Sequence, residues 1–302
     1  MRLSELGIFE GDLRKQIPRP GFVPYEVNAP LYADGAKKRH FVYVPRGAKL
    51  RANADRWDIP VGSYLVKTFS FLRDVRDPSQ GERFVETRFM VRTEDGFTAS
   101  TYLWNEAQTD AIASTGDVDV RVQFIDLRGV AREQLFHVPG TSQCASCHAE
   151  RALGLRSRQL DHGDQLARFL ALGLIAALPP AHLRLVDPMG TAPLAERAQS
   201  YLDANCSHCH GAGGSAESTG LLWDLEHTRL AELPACRPTR EVDGRDRVLV
   251  PGHPEQSEFL ARMRSLRPRV HMPRGPSRTP DEAGIALLSA WVSALPARTC
   301  DD

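Results

Sequence analysis

The chain has 302 residues, in which 38 basic residues balance 38 acidic ones and 42% of residues are apolar. This composition is typical of a soluble globular protein of two or three domains. A formal net charge of zero argues against nucleic acid as a bulk electrostatic partner, and the sequence contains no apolar run long enough to span a bilayer. We therefore expect no nucleic-acid partner and no transmembrane segment.

The first 136 residues contain short β-branched and aromatic runs, separated by Gly, Pro and Asp. These runs are HFVYVP, GSYLVKTFSF, RFVETRFMVRT, FTASTYLW and DVRVQFIDL. Their partial alternation of apolar and polar residues predicts β-strands. We expect a sandwich-like β-rich domain over residues 1–136. The charged residues Lys67, Glu86 and Arg88 lie within these runs and are expected to face water.

Four of the six cysteines form two C-x-x-C pairs, and a histidine follows each pair at once. The two motifs are Cys144, Cys147 and His148, and Cys206, Cys209 and His210. This pattern is the attachment signature of a c-type haem. Two thiols one helical turn apart can each bond to a porphyrin vinyl group, and the adjacent imidazole can then reach the iron. The sequence predicts two covalently bound haems c.

Zinc binding, a redox dithiol and ordinary disulfides are alternative readings of the same cysteines. A shared zinc site is disfavoured because 58 residues separate the two pairs. Cys236 and Cys300 remain outside the motifs. They form either one disulfide, as expected for a protein outside the cytoplasm, or two free thiols.

From residue 137 onward the apolar pattern becomes helical, with long loops. Three stretches carry apolar residues three or four positions apart, as on one face of a helix. They are Leu166, Phe169, Leu170 and Leu174; Leu194, Ala198, Tyr201 and Leu202; and Ile285, Leu288, Val292 and Leu295. Thr279-Pro280-Asp281-Glu282 predicts a capping box, with Thr279 as the N-cap of the last helix. We expect a first haem module over 137–192 and a second over 193–302, so that the predicted fold class is α+β.

The residue opposite the histidine, if there is one, decides whether each haem iron transfers electrons or is open to chemistry. Met272 is the candidate for the second haem because it lies in a polar loop without apolar periodicity, with His271 and Met263 as alternatives. For the first haem Met189 is the candidate, because it lies in a loop 41 residues beyond His148. Other candidates for that position are His137, His162, His182 and Met90, and it could also be vacant.

The segment YLDANCSHCHGAGG, followed by VLVPGHPEQSEFLARM, HMPRG and GIALLSAWVSAL, resembles a class I cytochrome c over about 193–297. The whole chain, with PGFVPYEVNAPLYADGAKKRHFVYVPRG and TYLWNEAQTDA near its start, resembles a group of bacterial di-haem c-type cytochromes. The resemblance implies a helix entering the haem motif, a methionine loop, and a terminal helix that crosses the first. It also implies secretion to the periplasm, with the signal peptide removed. The first module lacks a Met-Pro loop of its own.

The expected function is electron transfer between a donor and an acceptor protein through two haems. The alternative is a di-haem peroxidase or oxidase in which the first haem has an open position, with Lys67, Glu86 and Arg88 as the charged groups that the β domain could supply. A binding module that carries a tethered cytochrome is a third possibility.

Overall fold

The computed structural model describes residues 1–53, 56–140, 152–228, 233–275 and 277–300. The chain forms two compact units. The first comprises Met1–Val27 and Gly35–His182, and the second comprises Asn28–Asp34 and Leu183–Asp302. The domain boundaries proposed after residues 136 and 192 stay predictions.

The first unit is built mainly from antiparallel strands. In chain order they are β1 (Phe9–Glu10), β2 (Ile17–Pro18), β3 (Phe22–Tyr25), β4 (Lys37–Tyr43), β5 (Tyr64–Leu72), β6 (Glu82–Thr93), β7 (Gly96–Trp104), β8 (Ala111–Ser114), β9 (Val118–Ile125) and β10 (Ala131–Val138). β3 to β8 form a six-stranded sheet in which each strand pairs with its neighbours along the chain, while β1–β2 and β9–β10 form two separate pairs. The apolar runs of the sequence lie in β4, β5, β6, β7 and β9.

Five α-helices and four 3-10 turns are present among the described residues. The helices are α1 (Ser157–Leu160) and α2 (Gln165–Ala171) in the first unit, and α3 (Leu194–Asn205), α4 (Glu258–Arg264) and α5 (Glu282–Ala294) in the second. The 3-10 turns are Leu3–Leu6, Leu13–Lys15, Pro78–Gln80 and Glu217–Thr219, and a hairpin of β11 (Pro238–Val242) and β12 (Arg245–Arg247) completes the second unit.

The six-stranded sheet buries side chains on both of its faces, because successive residues of a strand point to opposite sides. One face packs against the N-terminal segment through Leu3, Ile8, Phe41, Val66 and Trp104. The opposite face packs against the segment of α1 and α2 through Val42, Leu65, Leu155, Leu160 and Phe169. A polar side chain within these strands is therefore not necessarily exposed to solvent.

The second unit has its core where α3 packs against α5. The four apolar positions predicted for the last helix are all buried there. Gly284 lies against the ring of Tyr201, where an added Cβ would come within 2.4 Å of ring atoms. The Tyr201 hydroxyl donates to Asp281 Oδ2 at 2.9 Å. The two helices thus approach closely at a position that only glycine fits.

The segment Asn28–Asp34 connects the end of α3 to the start of α5. The amide of Tyr32 donates to Asn205 Oδ1 at 2.7 Å, and its hydroxyl lies 2.9 Å from Thr279 Oγ1. The Asp34 carboxylate accepts from the amides of Arg278 and Thr279, each at 3.0 Å. Thr279 is therefore not the helix cap that the sequence predicts. Asp281 is the N-cap, and its carboxylate accepts from Gly284 N at 2.9 Å.

The predicted fold class, a β sandwich followed by α-helical cytochrome c-like modules, is wrong. The described residues are about 20% helical and 30% strand, their largest sheet has six strands, and they show no series of helical modules. The helical pattern after residue 137 is interrupted by Gly163 and Gly173, which adopt left-handed conformations, and by Pro193. Gly173 follows the C-cap residue of α2, and Pro193 is the N-cap of α3, so the periodic stretches give only short helices. No helix of the described residues is long and apolar enough to cross a membrane.

Candidate functional site

The motif Cys206–His210 directly follows α3. Cys206 is the C-cap residue of that helix, and its amide donates to Leu202 O at 2.8 Å. Residues 206–210 form one further turn, in which the amides of Cys209 and His210 both donate to Cys206 O, at 3.1 and 2.8 Å. The backbone therefore holds two thiols and one imidazole within a single turn at the end of a helix.

Gly211 and Gly214 follow this turn, at positions where the backbone packs too closely for a side chain. A Cβ on Gly211 would lie 2.5 Å from Ser207 O, and a Cβ on Gly214 would lie 2.2 Å from Cys209 O. Both contacts are with backbone atoms, which cannot move aside as the end of a flexible side chain would. A larger residue at either position would distort the motif.

The thiols of Cys206 and Cys209 are both free and half-buried. Cys206 packs against the core of the second unit. Burial raises the pKa of the Cys206 thiol to about 12, with smaller contributions from Cys209 and Asp203. The Cys206 side chain is therefore a protonated thiol at neutral pH.

The His210 imidazole is also half-buried. Burial lowers its pKa, the neighbouring His208 lowers it further, and a hydrogen bond with the Leu221 backbone acts in the opposite direction. Its Nδ1 is buried and has no hydrogen-bond partner in the described part of the chain. The Trp223 amide donates to His210 O at 2.8 Å, which ties the motif to the core.

Met272 lies in a loop that is tied to α4. Its amide donates to Arg262 O at 3.2 Å. The neighbouring His271 places Nδ1 2.6 Å from Ser265 O, while its Nε2 is buried and has no partner within the described ranges. The Arg262 guanidinium pairs with Glu258 on the same helix. The residues around Met272 are therefore held by one end of α4.

Electrostatic interactions relate this loop to the cysteine motif. The positive charges of Arg262 and Arg274 both lower the pKa of His210. Arg262 supplies the carbonyl that binds the Met272 amide, and Arg274 follows Met272 by two residues. Arg262 and Arg274, which flank the Met272 loop, thus both act electrostatically on His210.

The other ligand candidates are placed differently. Met189 is 51% exposed, in a turn where its amide donates to Asp187 Oδ1 at 2.9 Å. Met263 is 6% exposed and belongs to the core of the second unit, where its role is packing. The motif of Cys144, Cys147 and His148 lies outside the described residues, so its ligation by Met189 stays a prediction.

The histidines proposed as alternatives for the first haem have polar contacts. His137 Nδ1 lies 2.7 Å from Asp119 Oδ1, and His182 Nε2 lies 3.4 Å from Asp161 Oδ2. Met90 lines a cavity of the first unit. The structure therefore favours none of these residues over the others as the ligand opposite His148 in the first haem.

The charged residues of β5 and β6 do not face water as expected. Glu86 is fully buried at 0% exposure, and its Oε1 accepts from Arg88 Nη2 at 2.6 Å. Lys67 and Arg88 line the cavity that contains Met90. Sequence reasoning missed this because strand alternation cannot show that both faces of the sheet are covered.

Cys236 and Cys300 form a disulfide, which confirms the pairing expected from the sequence. The Sγ–Sγ distance is 2.07 Å and the Cα–Cα distance is 5.0 Å. The bond links the chain just before β11 to the residues that follow α5. It closes a loop of 64 residues, about half of the second unit.

The predicted resemblance to bacterial di-haem c-type cytochromes, and to class I cytochrome c, is wrong. The described residues contain no group of three or more His, Cys, Asp or Glu side chains that could hold a metal ion, and the fold is strand-rich. Two cysteines and a histidine at short spacing can occur on many folds, so they do not specify a family. No family model, curated protein or solved structure matches the chain.

Proposed function

We propose that the chain transfers single electrons between redox partner proteins through covalently attached haems c, one at Cys144–Cys147–His148 and one at Cys206–Cys209–His210. The proposal rests on the residues and not on a family. The observation that carries it is the second motif, where one backbone turn holds two free thiols and an imidazole. Arg262 and Arg274, on either side of Met272, act electrostatically on that imidazole.

The surroundings of the second motif fit such a group. Its thiols are free, and both are only half-buried, so they can react with a group that lies beside the turn. His210 Nδ1 and His271 Nε2 are buried without partners among the described residues. Buried polar atoms without partners are uncommon in folded proteins and favour an additional group at this place.

Cys206 and Cys209 would hold the haem through thioether bonds, and His210 and Met272 would bind its iron. When bound, a haem c supplies a one-electron iron(III)/iron(II) couple. Two separate parts of the chain position these residues. The end of α3, with Gly211 and Gly214, positions His210, and the hydrogen bond to the Arg262 carbonyl positions Met272. The apolar core behind Cys206 keeps water from that side of the motif.

The proposed location is the bacterial periplasm. The Cys236–Cys300 disulfide supports an oxidising compartment, because cytosolic thiols are kept reduced. The partners would be soluble or membrane-associated proteins that donate and accept electrons.

Replacing both Cys206 and Cys209 by serine should lower the covalent haem content by one haem per chain. The measurement is the haem-to-protein ratio after denaturing chromatography of protein made in a host that attaches c-type haems. His208→Ala is the matched control, because His208 lies inside the motif but outside the attachment pattern. Wild-type protein that carries zinc or no covalent haem would exclude the proposal.

Met272→Ala should remove a methionine-to-iron charge-transfer absorption in the far red. It should also lower one reduction potential by roughly 0.1–0.2 V, a fraction of the range that axial ligands control. Met263→Leu is the control, because it preserves the volume of a core residue and tests the alternative ligand. An unchanged spectrum in Met272→Ala would show that Met272 is not a ligand.

A further inference from the structure

A row of polar residues crosses the buried sheet face of the first unit. Tyr25 pairs with His40, His40 with Lys67, and Lys67 with Arg88, as direct neighbours across β3, β4, β5 and β6. Direct neighbours on adjacent strands point to the same side of a sheet. This is the face that packs against the segment of α1 and α2, so the row lies between the sheet and that segment.

The row lines a cavity of about 70 Å³. A buried water needs roughly 10–15 Å³ of such space, so the cavity fits about five waters or one molecule of about four to six non-hydrogen atoms. Most of the remaining lining is apolar, with Leu65, Met90, Ala99 and Leu155 among the contributors. A ligand for this cavity is therefore small and partly apolar.

The charges around the cavity do not balance. Arg88 is neutralised by Glu86, through Nε–Oε2 and Nη2–Oε1 contacts of 2.8 and 2.6 Å. Its guanidinium also stacks 4.4 Å from the centre of the Phe69 ring. Within the described part of the chain, no carboxylate pairs with the Lys67 ammonium. Among the described residues, Lys67 therefore contributes a positive charge that no carboxylate pairs with directly.

His40 adds a polar atom that also lacks a partner. Its side chain is 8% exposed, and its Nδ1 is buried without a hydrogen-bond partner among the described residues. Burial holds the pKa of His40 well below its usual value, so this imidazole is neutral and can donate one hydrogen bond. Burial also lowers the pKa of Lys67 to about 8, which leaves the ammonium mostly protonated at neutral pH.

We propose that this cavity binds a short-chain monocarboxylate, whose carboxylate pairs with Lys67 and His40 and whose alkyl part lies against the apolar lining. One negative charge matches the Lys67 ammonium, which pairs with no carboxylate in the described ranges. An apolar body distinguishes such a ligand from chloride or phosphate. The site belongs to the first unit and does not depend on the haem proposal.

The test is isothermal titration of the full chain with sodium acetate and sodium propionate, at constant ionic strength and neutral pH. We expect one saturable site per chain, and binding of the neutral isostere propionamide that is weaker by roughly 10- to 100-fold, the range expected for loss of a charged hydrogen bond. Lys67→Met should weaken carboxylate binding by a similar factor. Lys37→Met is the matched control, because Lys37 lies exposed on β4, and it should bind as the wild type does.

Circular dichroism of each variant verifies folding, and the comparison of propionate with propionamide requires only wild-type protein. The proposal is overturned if neither carboxylate binds saturably to the wild type. Equal binding of propionate and propionamide would also overturn it, as would full retention of carboxylate binding in a folded Lys67→Met variant.

Discussion

Removal of the Cys236–Cys300 disulfide, by replacing both cysteines with serine, should lower the free energy of unfolding of the second unit by about 4 kcal/mol. The two cysteines are 64 residues apart, and the loop between them contains β11, β12, α4 and α5. Opening a loop of this length gives the unfolded chain many more conformations, whereas the folded unit keeps its core.

The measurement is urea denaturation of the double variant and of wild-type protein without reductant. The wild type in the presence of reductant is the matched control, and its midpoint should move to that of the double variant. Equal midpoints for oxidised wild type and double variant would show that the disulfide does not constrain the unfolded chain.

Gly284→Ala should lower the free energy of unfolding by about 2 kcal/mol, although alanine is the better helix former. The higher helix propensity of alanine favours the variant by about 1 kcal/mol. Against this, the added methyl group would lie 2.4 Å from the Tyr201 ring. That ring is 3% exposed, and its hydroxyl is held by Asp281, so it cannot move aside without loss of a hydrogen bond. Overpacking of this kind costs roughly 1–3 kcal/mol or more.

Gly275→Ala is the matched control, because a Cβ there meets no atom within 4 Å. Its free energy of unfolding should stay within about 0.5 kcal/mol of wild type, as is usual for surface substitutions. In a Tyr201→Leu background, Gly284→Ala should cost less, because the ring that blocks the methyl group is gone. A stabilised Gly284→Ala single variant would show that the two helices are not in close contact at this position.

The strands of the first unit could be predicted from the sequence because the signal is local. GSYLVKTFSF and RFVETRFMVRT combine β-branched and aromatic residues, and they form β5 and β6. The orientation of their charged residues could not be predicted. Glu86 is fully buried, and the face that carries Lys67 is covered by residues such as Leu155 and Phe169, which are far away in the sequence.

The end of the chain shows the same limit. The apolar spacing of Ile285, Leu288 and Val292 predicts one buried face of α5, and all three are buried. The start of that helix was predicted wrongly, because Thr279 binds Asp34, a residue 245 positions away. A local capping pattern contains no information about such a partner.

For the candidate site, the sequence identifies the residues of the motif but not their surroundings. The spacing of Cys206, Cys209 and His210 predicts a turn after a helix, and α3 ends at that place. The link of Met272 to Arg262 could not be predicted, because it depends on how the loop returns to α4. The same holds for Met189, whose loop position gave no indication of its 51% exposure.

Mass spectrometry of the peptide that contains residues 206–210 tests the central claim most directly. The protein is made in a host that attaches c-type haems, digested under denaturing conditions, and the peptide mass is compared with that of the unmodified sequence. We expect this peptide to carry the mass of one haem, bonded to both cysteines. A peptide with two free thiols, or with a disulfide between Cys206 and Cys209, would contradict the proposed function.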